Sequence, residues 1–167
     1  MVKFTSKVEN GRSCFRHGTI SLHPYVIDLI FCCIYLQHWS ENIPTYWTPD
    51  SLTKVTLWAG TLDGKRGLDP PPNSWAANPE SDLAVILLEI GPSGSFLLHA
   101  ATGGSGVNRM AYFIEGDSLS VNGATIKHHS EITLKAGIDT EFKNIHNGVS
   151  TEVLVLQGES FCRPSPV

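Results

Sequence analysis

Hydrophobic and polar positions change rhythm near residue 53. Over residues 1–36, Lys, Arg, His and Cys are scattered, and neither a helical nor a strand period persists. From residue 53 onward the β pattern is regular. Lys54-Val-Thr-Leu-Trp-Ala-Gly60 alternates and places Val55, Leu57 and Ala59 on one side of a strand. Asp82-Leu-Ala-Val-Ile-Leu-Leu-Glu-Ile90 is a nearly unbroken apolar run, which predicts a strand buried on both faces. Further short strands are predicted at Ser95–His99, Arg109–Glu115, Ser118–Val121, Ala124–Ile126, Glu131–Leu134, Thr140–Phe142 and Thr151–Leu156.

Turn chemistry punctuates these strands. Asn122-Gly123 is a strong hairpin signal, because both residues tolerate the positive φ angles of a type I′ turn. Gly91-Pro-Ser-Gly94 turns the chain, and Ala101-Thr-Gly-Gly-Ser-Gly106 reads as a flexible connection. Pro70, Pro71 and Pro72 lack ladder donors, so 63–74 is a loop. No convincing amphipathic helix follows residue 53. The expected fold is therefore all-β, an antiparallel sandwich or barrel spanning 53–160. Residues 1–36 read as a leader of uncertain order that need not belong to the folded unit, 37–52 as an extended lead-in with Pro44 and Pro49, and 161–167 as a tail.

The leader contains the apolar run Tyr25–Leu36, interrupted by Asp28 and shorter than the roughly 20 residues of a membrane span. Lys3, Lys7, Arg12 and Arg16 precede it, as in a signal peptide. The run starts late, however, and Gln37–Glu41 offers no small-x-small cleavage site. A buried strand or unstructured apolar segment, no membrane association and a cytoplasmic location are expected.

The 12 basic and 16 acidic residues leave a net charge of -4, which supplies no footprint for phosphate backbones, so no nucleic acid partner is expected. Cys14, Cys32, Cys33 and Cys162 form no CxxC pair, which argues for free thiols over a zinc ribbon or a redox motif.

Strand and glycine order from Gly91 to Gly158 resembles a cupin (a double-stranded β-helix, or small jelly-roll barrel), a fold that commonly holds a metal. Cupins carry an HxH pair, then a glutamate and a glycine; a second motif supplies glycine, histidine and asparagine. Alternate strand residues point the same way, so HxH delivers two imidazoles into one cavity, where a divalent ion has open positions for chemistry. Here Gly137-Ile-Asp-Thr-Glu-Phe-Lys-Asn144 fits the second motif with Thr140 in the histidine slot. Counting back from Gly116 puts Arg109 in the carboxylate slot and Gly103 and Ser105 in the HxH slots. A guanidinium there repels a divalent cation, so a metal-free barrel is expected.

The histidines support the same reading. Neighbouring His128 and His129 face opposite ways on a strand and belong on the surface, with Glu131 a solvated charge. His99 closes an apolar strand and is expected inside, hydrogen-bonded. His146 falls in a turn, and His17, His23 and His38 have no metal-like spacing. Gly103–Gly106 lacks the Lys-Ser/Thr ending of a phosphate loop, Gly91–Gly94 is not a nucleophile elbow, and Cys162 reads as structural. Arg109, Thr140 and His99 remain as candidate cavity or anion-binding residues.

Four segments in order, Pro70-Pro-Pro-Asn-Ser-Trp-Ala-Ala77, Asp82-Leu-Ala-Val85, Asn108-Arg-Met-Ala-Tyr-Phe-Ile-Glu-Gly116 and Glu152-Val-Leu-Val-Leu-Gln-Gly158, resemble bacterial members of the pirin family. The resemblance runs from about Leu36 to Gly158. Pirins are two-cupin proteins, and this stretch is similar to their C-terminal cupin, one half of a bicupin. The resemblance implies that iron, held by three histidines and a glutamate, belongs to an N-terminal cupin expected to be missing here. It also implies quercetin 2,3-dioxygenase activity for the family and, for some members, binding of transcription regulators. No family ligand residue maps onto this sequence, so no cofactor is expected in this chain. A half without its mate exposes apolar surface, which predicts self-association or a protein partner on that face. The leading expectation is a metal-free structural or interaction module. The alternatives are part of an iron-dependent dioxygenase and a small organic anion-binding barrel anchored by Arg109.

Overall fold

The computed structural model describes residues 14–15, 32–33, 40–127 and 129–159. The chain divides into two compact units, Met1–Trp39 and Ser40–Val167. In the first, β1 (Cys14–Phe15) pairs antiparallel with β2 (Cys32–Cys33). The expectations for the rest of the 25–36 run, His17, His23, His38, His128 and Cys162 fall outside the described residues.

The second unit is built from strands, and the alternation predicts all but two short ones, Thr45–Trp47 in the lead-in and Lys65–Arg66 in the stretch expected to be a loop. The strands are β3 (Thr45–Trp47), β4 (Thr53–Leu62), β5 (Lys65–Arg66), β6 (Ala84–Ile90), β7 (Ser95–Leu98), β8 (Val107–Glu115), β9 (Ser118–Val121), β10 (Ala124–Lys127), β11 (Glu131–Lys135), β12 (Thr140–Asn144) and β13 (Thr151–Glu159). The large sheet runs β11-β8-β13-β6-β4-β3, with β5 paired to β4, and the small sheet runs β10-β9-β12-β7. Every pairing is antiparallel, and sequence neighbours are repeatedly separated in the sheets, as in a jelly roll.

Burial explains the pairing. Val55, Leu57, Ile86, Leu88, Ala111, Phe113, Val153 and Val155 of the large sheet form one core cluster with Phe96, Leu98, Leu119, Val121 and Phe142 of the small one. Phe113 and Phe142 are the bulkiest fully enclosed side chains, so the middle of the barrel is filled with ring and aliphatic carbon. Asn122 and Gly123 adopt φ 48° and 82°, and the β9–β10 hairpin forms at the expected turn.

Three local expectations are corrected. β6 is not buried on both faces: Ala84, Ile86, Leu88 and Ile90 are buried, whereas Val85, Leu87 and Glu89 are half-buried. The apolar run misleads because its second side belongs to the outer face of the large sheet. A register shift between Leu57 and Ala59 leaves Ala59 only partly buried. The lead-in is also more than extended chain. It contributes a 3₁₀ turn at Ser40–Asn42 and the edge strand β3, Thr45 opposite Thr56.

Candidate functional site

Arg109 enters the barrel because β8 keeps strict period two, with Val107, Arg109, Ala111 and Phe113 all buried. Only 2% of Arg109 is exposed. Directly opposite it on β13 stands Gln157. Nε and Nη2 of Arg109 both donate to Gln157 Oε1, at 2.9 and 2.6 Å. Gln157 Nε2 in turn donates to the Asp82 carbonyl at 3.0 Å. Asp82 holds the left-handed conformation (φ 43°) that ends the 3₁₀ turn Pro79–Ser81, and its Oδ2 accepts from the Gly103 N–H at 2.8 Å. Nη1 of Arg109 is buried and makes no hydrogen bond. Desolvation pulls the guanidinium pKa below its ordinary value, and the charges of Asp82 and Asp139 oppose that shift.

The four segments 70–77, 82–85, 108–116 and 152–158 come together at this corner of the barrel. Asp82, Arg109 and Gln157 come from the second, third and fourth, joined by the hydrogen bonds above. Trp75 of the first lies so close to Gly158 that an added Cβ there would stand 2.7 Å from the indole ring. Gly158 is thus fixed by a close approach. Gln157, the partner that makes a buried arginine tolerable, is the residue missed in sequence. Its register opposite Arg109 becomes readable only once the two strands are paired.

Thr140, the second candidate, is 1% exposed and opens β12 in the opposite sheet. Among the described residues no hydrogen bond joins it to Arg109. His99 is not inside: its side chain is 59% exposed, and Nδ1 lies 3.4 Å from Asp139 Oδ2. Phe96 and Leu98 are the inward positions of β7, so residue 99 shares the outward side of the exposed Leu97. Gly103 and Ser105 precede β8, in and beside the 3₁₀ turn Gly104–Gly106, so these slots do not lie on a strand facing the interior. His129 is exposed, with its ring 6.0 Å from that of Phe113. His146 does sit in a turn, its Nδ1 accepting from the Gly148 and Val149 N–H groups. Asn144, which matches the asparagine of the second motif, is fully buried. It donates to the carbonyls of Ile90, Gly91 and Val149 and accepts from His146 N–H.

These residues do not fit an iron ion. Arg109, Gln157 and Thr140 present a guanidinium, an amide and a hydroxyl among phenyl rings, and among the described residues the one buried charged side chain is positive where a divalent metal needs an anionic ligand. Beside this corner, the end of the β8–β11 pair bears a cleft of about 590 Å³. Ser105, Val107, Arg109, Met110, Leu134 and Ile138 are among its lining residues.

The outer face of the large sheet has a second distinctive surface. Leu154 lies between Leu87 and Tyr112, and Leu156 between Val85 and Met110, all in register across the three central strands. Each is only partly buried, and Leu156 is 37% exposed. At one end of this patch Glu152 stands between Glu89 and Glu115, and Lys54 pairs with Glu89 at 2.5 Å. Lys135 and Asn108 lie at the other end.

No protein-family model matches the chain, and no curated protein matches it. Among solved structures it is similar to the quercetin 2,3-dioxygenase of Acinetobacter baumannii, with 17% identity, 78% of this chain and 41% of that chain covered, and a TM-score of 0.61. GK1651 of Geobacillus kaustophilus gives 12% identity, 78% and 48% coverage and a TM-score of 0.55. An RmlC-like cupin from Shewanella frigidimarina overlaps at 8% identity, covering 75% of this chain and 91% of that one, with a TM-score of 0.44. The chain spans less than half the length of either of the first two proteins. What it shares with them is the fold, an all-β cupin. No helix among the described residues is long and apolar enough to cross a membrane.

Proposed function

We propose that this chain is a pirin-like, metal-free cupin of the cytoplasm, corresponding to one half of a bicupin, that works as an interaction module without catalysis of its own. The observation that carries the reading is the registered patch of Val85, Leu87, Met110, Tyr112, Leu154 and Leu156 on the outer sheet face. Six apolar side chains on three adjacent strands make a contiguous surface of the kind that drives association. The occupant is a second copy of this chain. A two-fold axis lying between the sheets and across the strands places each patch on the other, and it sets the glutamate end of one copy over the Lys135 end of its mate. Support for the pirin-like part comes from the four sequence segments that converge on Arg109, Gln157 and Trp75.

Sedimentation across the micromolar range tests this. The wild-type chain is expected to dimerise with concentration, and Leu154→Glu to sediment as a folded monomer. A wild-type chain that stays monomeric throughout overturns the reading.

A further inference from the structure

We infer that Arg109 anchors a site for a small monocarboxylic acid with an apolar body, at the corner of the barrel covered by the Ala101–Gly106 loop. The inference starts from the inward-facing guanidinium of Arg109, not from the outer sheet face, although Met110 of that face also lines the cleft. A guanidinium carries five N–H donors in a planar fork. In Arg109 the edge formed by Nε and Nη2 is committed to one oxygen of Gln157, while Nη1, buried, has no partner. That leaves the Nη1–Nη2 edge, which suits a bidentate carboxylate.

Among the described residues no carboxylate closes on that edge. Asp82 Oδ2 is taken by Gly103 N–H, and Asp139 Oδ1 by Ala100 N–H at 2.7 Å. Both act on Arg109 only through their charge. Because these two acids already offset part of the positive field, a single negative charge complements the site better than a dianion. Val107, Met110, Leu134 and Ile138 line the adjoining cleft and supply the apolar wall, with Ser105 at its rim. Its volume, about 590 Å³, falls within the usual range for small-molecule sites.

Entry requires the covering loop to lift. The loop is tied down by Ala101 N–H to the Ala136 carbonyl (2.7 Å) and by the Gly103–Asp82 bond. Three of its six residues are glycine, and a side chain at Gly104 or Gly106 would meet nothing.

Calorimetric titration with hexanoate and, in parallel, neutral hexanamide tests the site, together with the NMR signal of the Arg109 side-chain Nε–H. Saturable binding of hexanoate but not hexanamide is expected, with the Nε–H signal moving as hexanoate is added. Arg109→Lys should weaken binding at least tenfold. Should that variant fail to fold, Ile138→Trp narrows the cleft at an exposed position and should also weaken hexanoate binding while leaving the barrel intact. Equal binding of acid and amide, an unmoved Nε–H signal, or unchanged affinity in Ile138→Trp overturns the proposal.

Discussion

Gln157 faces Arg109 across the β8–β13 pair, and its single side-chain carbonyl oxygen accepts two guanidinium N–H bonds at 2.9 and 2.6 Å. The amide meets part of the buried cation's hydrogen-bonding demand without supplying an opposite charge. Arg109→Ala leaves Gln157 Oε1 without a donor and opens a gap beside Ala111, so a loss of roughly 2–4 kcal/mol is expected. Arg109→Met combined with Gln157→Leu removes both polar partners together. A denaturant double-mutant cycle should then show the pair coupled by about 1–3 kcal/mol. Strict additivity would mean that the two side chains do not depend on each other.

Asn144 spends three carbonyl contacts and one N–H contact on pinning the Ile90–Gly91 turn and the 146–149 loop to β12. Asn144→Ala leaves these groups unpaired around a buried side-chain position. A loss of roughly 2–4 kcal/mol follows from bonds worth about 1 kcal/mol each and the desolvation of what they leave behind. Urea unfolding measures it, and a change below about 0.5 kcal/mol would show that the network is dispensable.

Glu152 carries the pH signature of the outer face. Burial, then the charges of Glu115 and Glu89, raise its carboxyl pKa, and Lys54 partly opposes them. A carboxyl raised in the folded protein favours folding when protonated. That contribution is present below the unfolded-state value near 4.3 and is lost as pH rises through the folded one. At neutral pH Glu152→Gln should therefore stabilise by about 0.2–1 kcal/mol, the scale of like charges facing each other across strands. The gain should shrink as pH falls into the carboxylate range. Paired chemical denaturation at about pH 7 and pH 4 checks both, and a gain that persists in acid would assign the effect to something other than charge.

Much of the fold was legible because period two and turn residues are local signals. The Asn122–Gly123 hairpin, β4 and the strands from β6 to β13 follow from them directly, whereas the short β5 lies inside the stretch read as a loop. What stayed hidden depends on which strands become neighbours. The run through β6 reads as doubly buried, yet Val85 and Leu87 join an outer patch with Leu154 and Leu156 that exists only after sheet pairing. Arg109 could be placed in the interior by counting along one strand, whereas Gln157 lies 48 residues away and has no motif of its own. His99 was misplaced for a smaller reason, since the inward side of its strand belongs to Phe96 and Leu98.

The decisive measurement is the iron content of the purified protein, taken by elemental analysis after expression with added iron and paired with oxygen uptake in the presence of quercetin. A cupin whose inward positions hold Arg109, Gln157 and Thr140 should return substoichiometric iron and no quercetin-dependent oxygen consumption. One iron per chain, retained through gel filtration, would contradict the account.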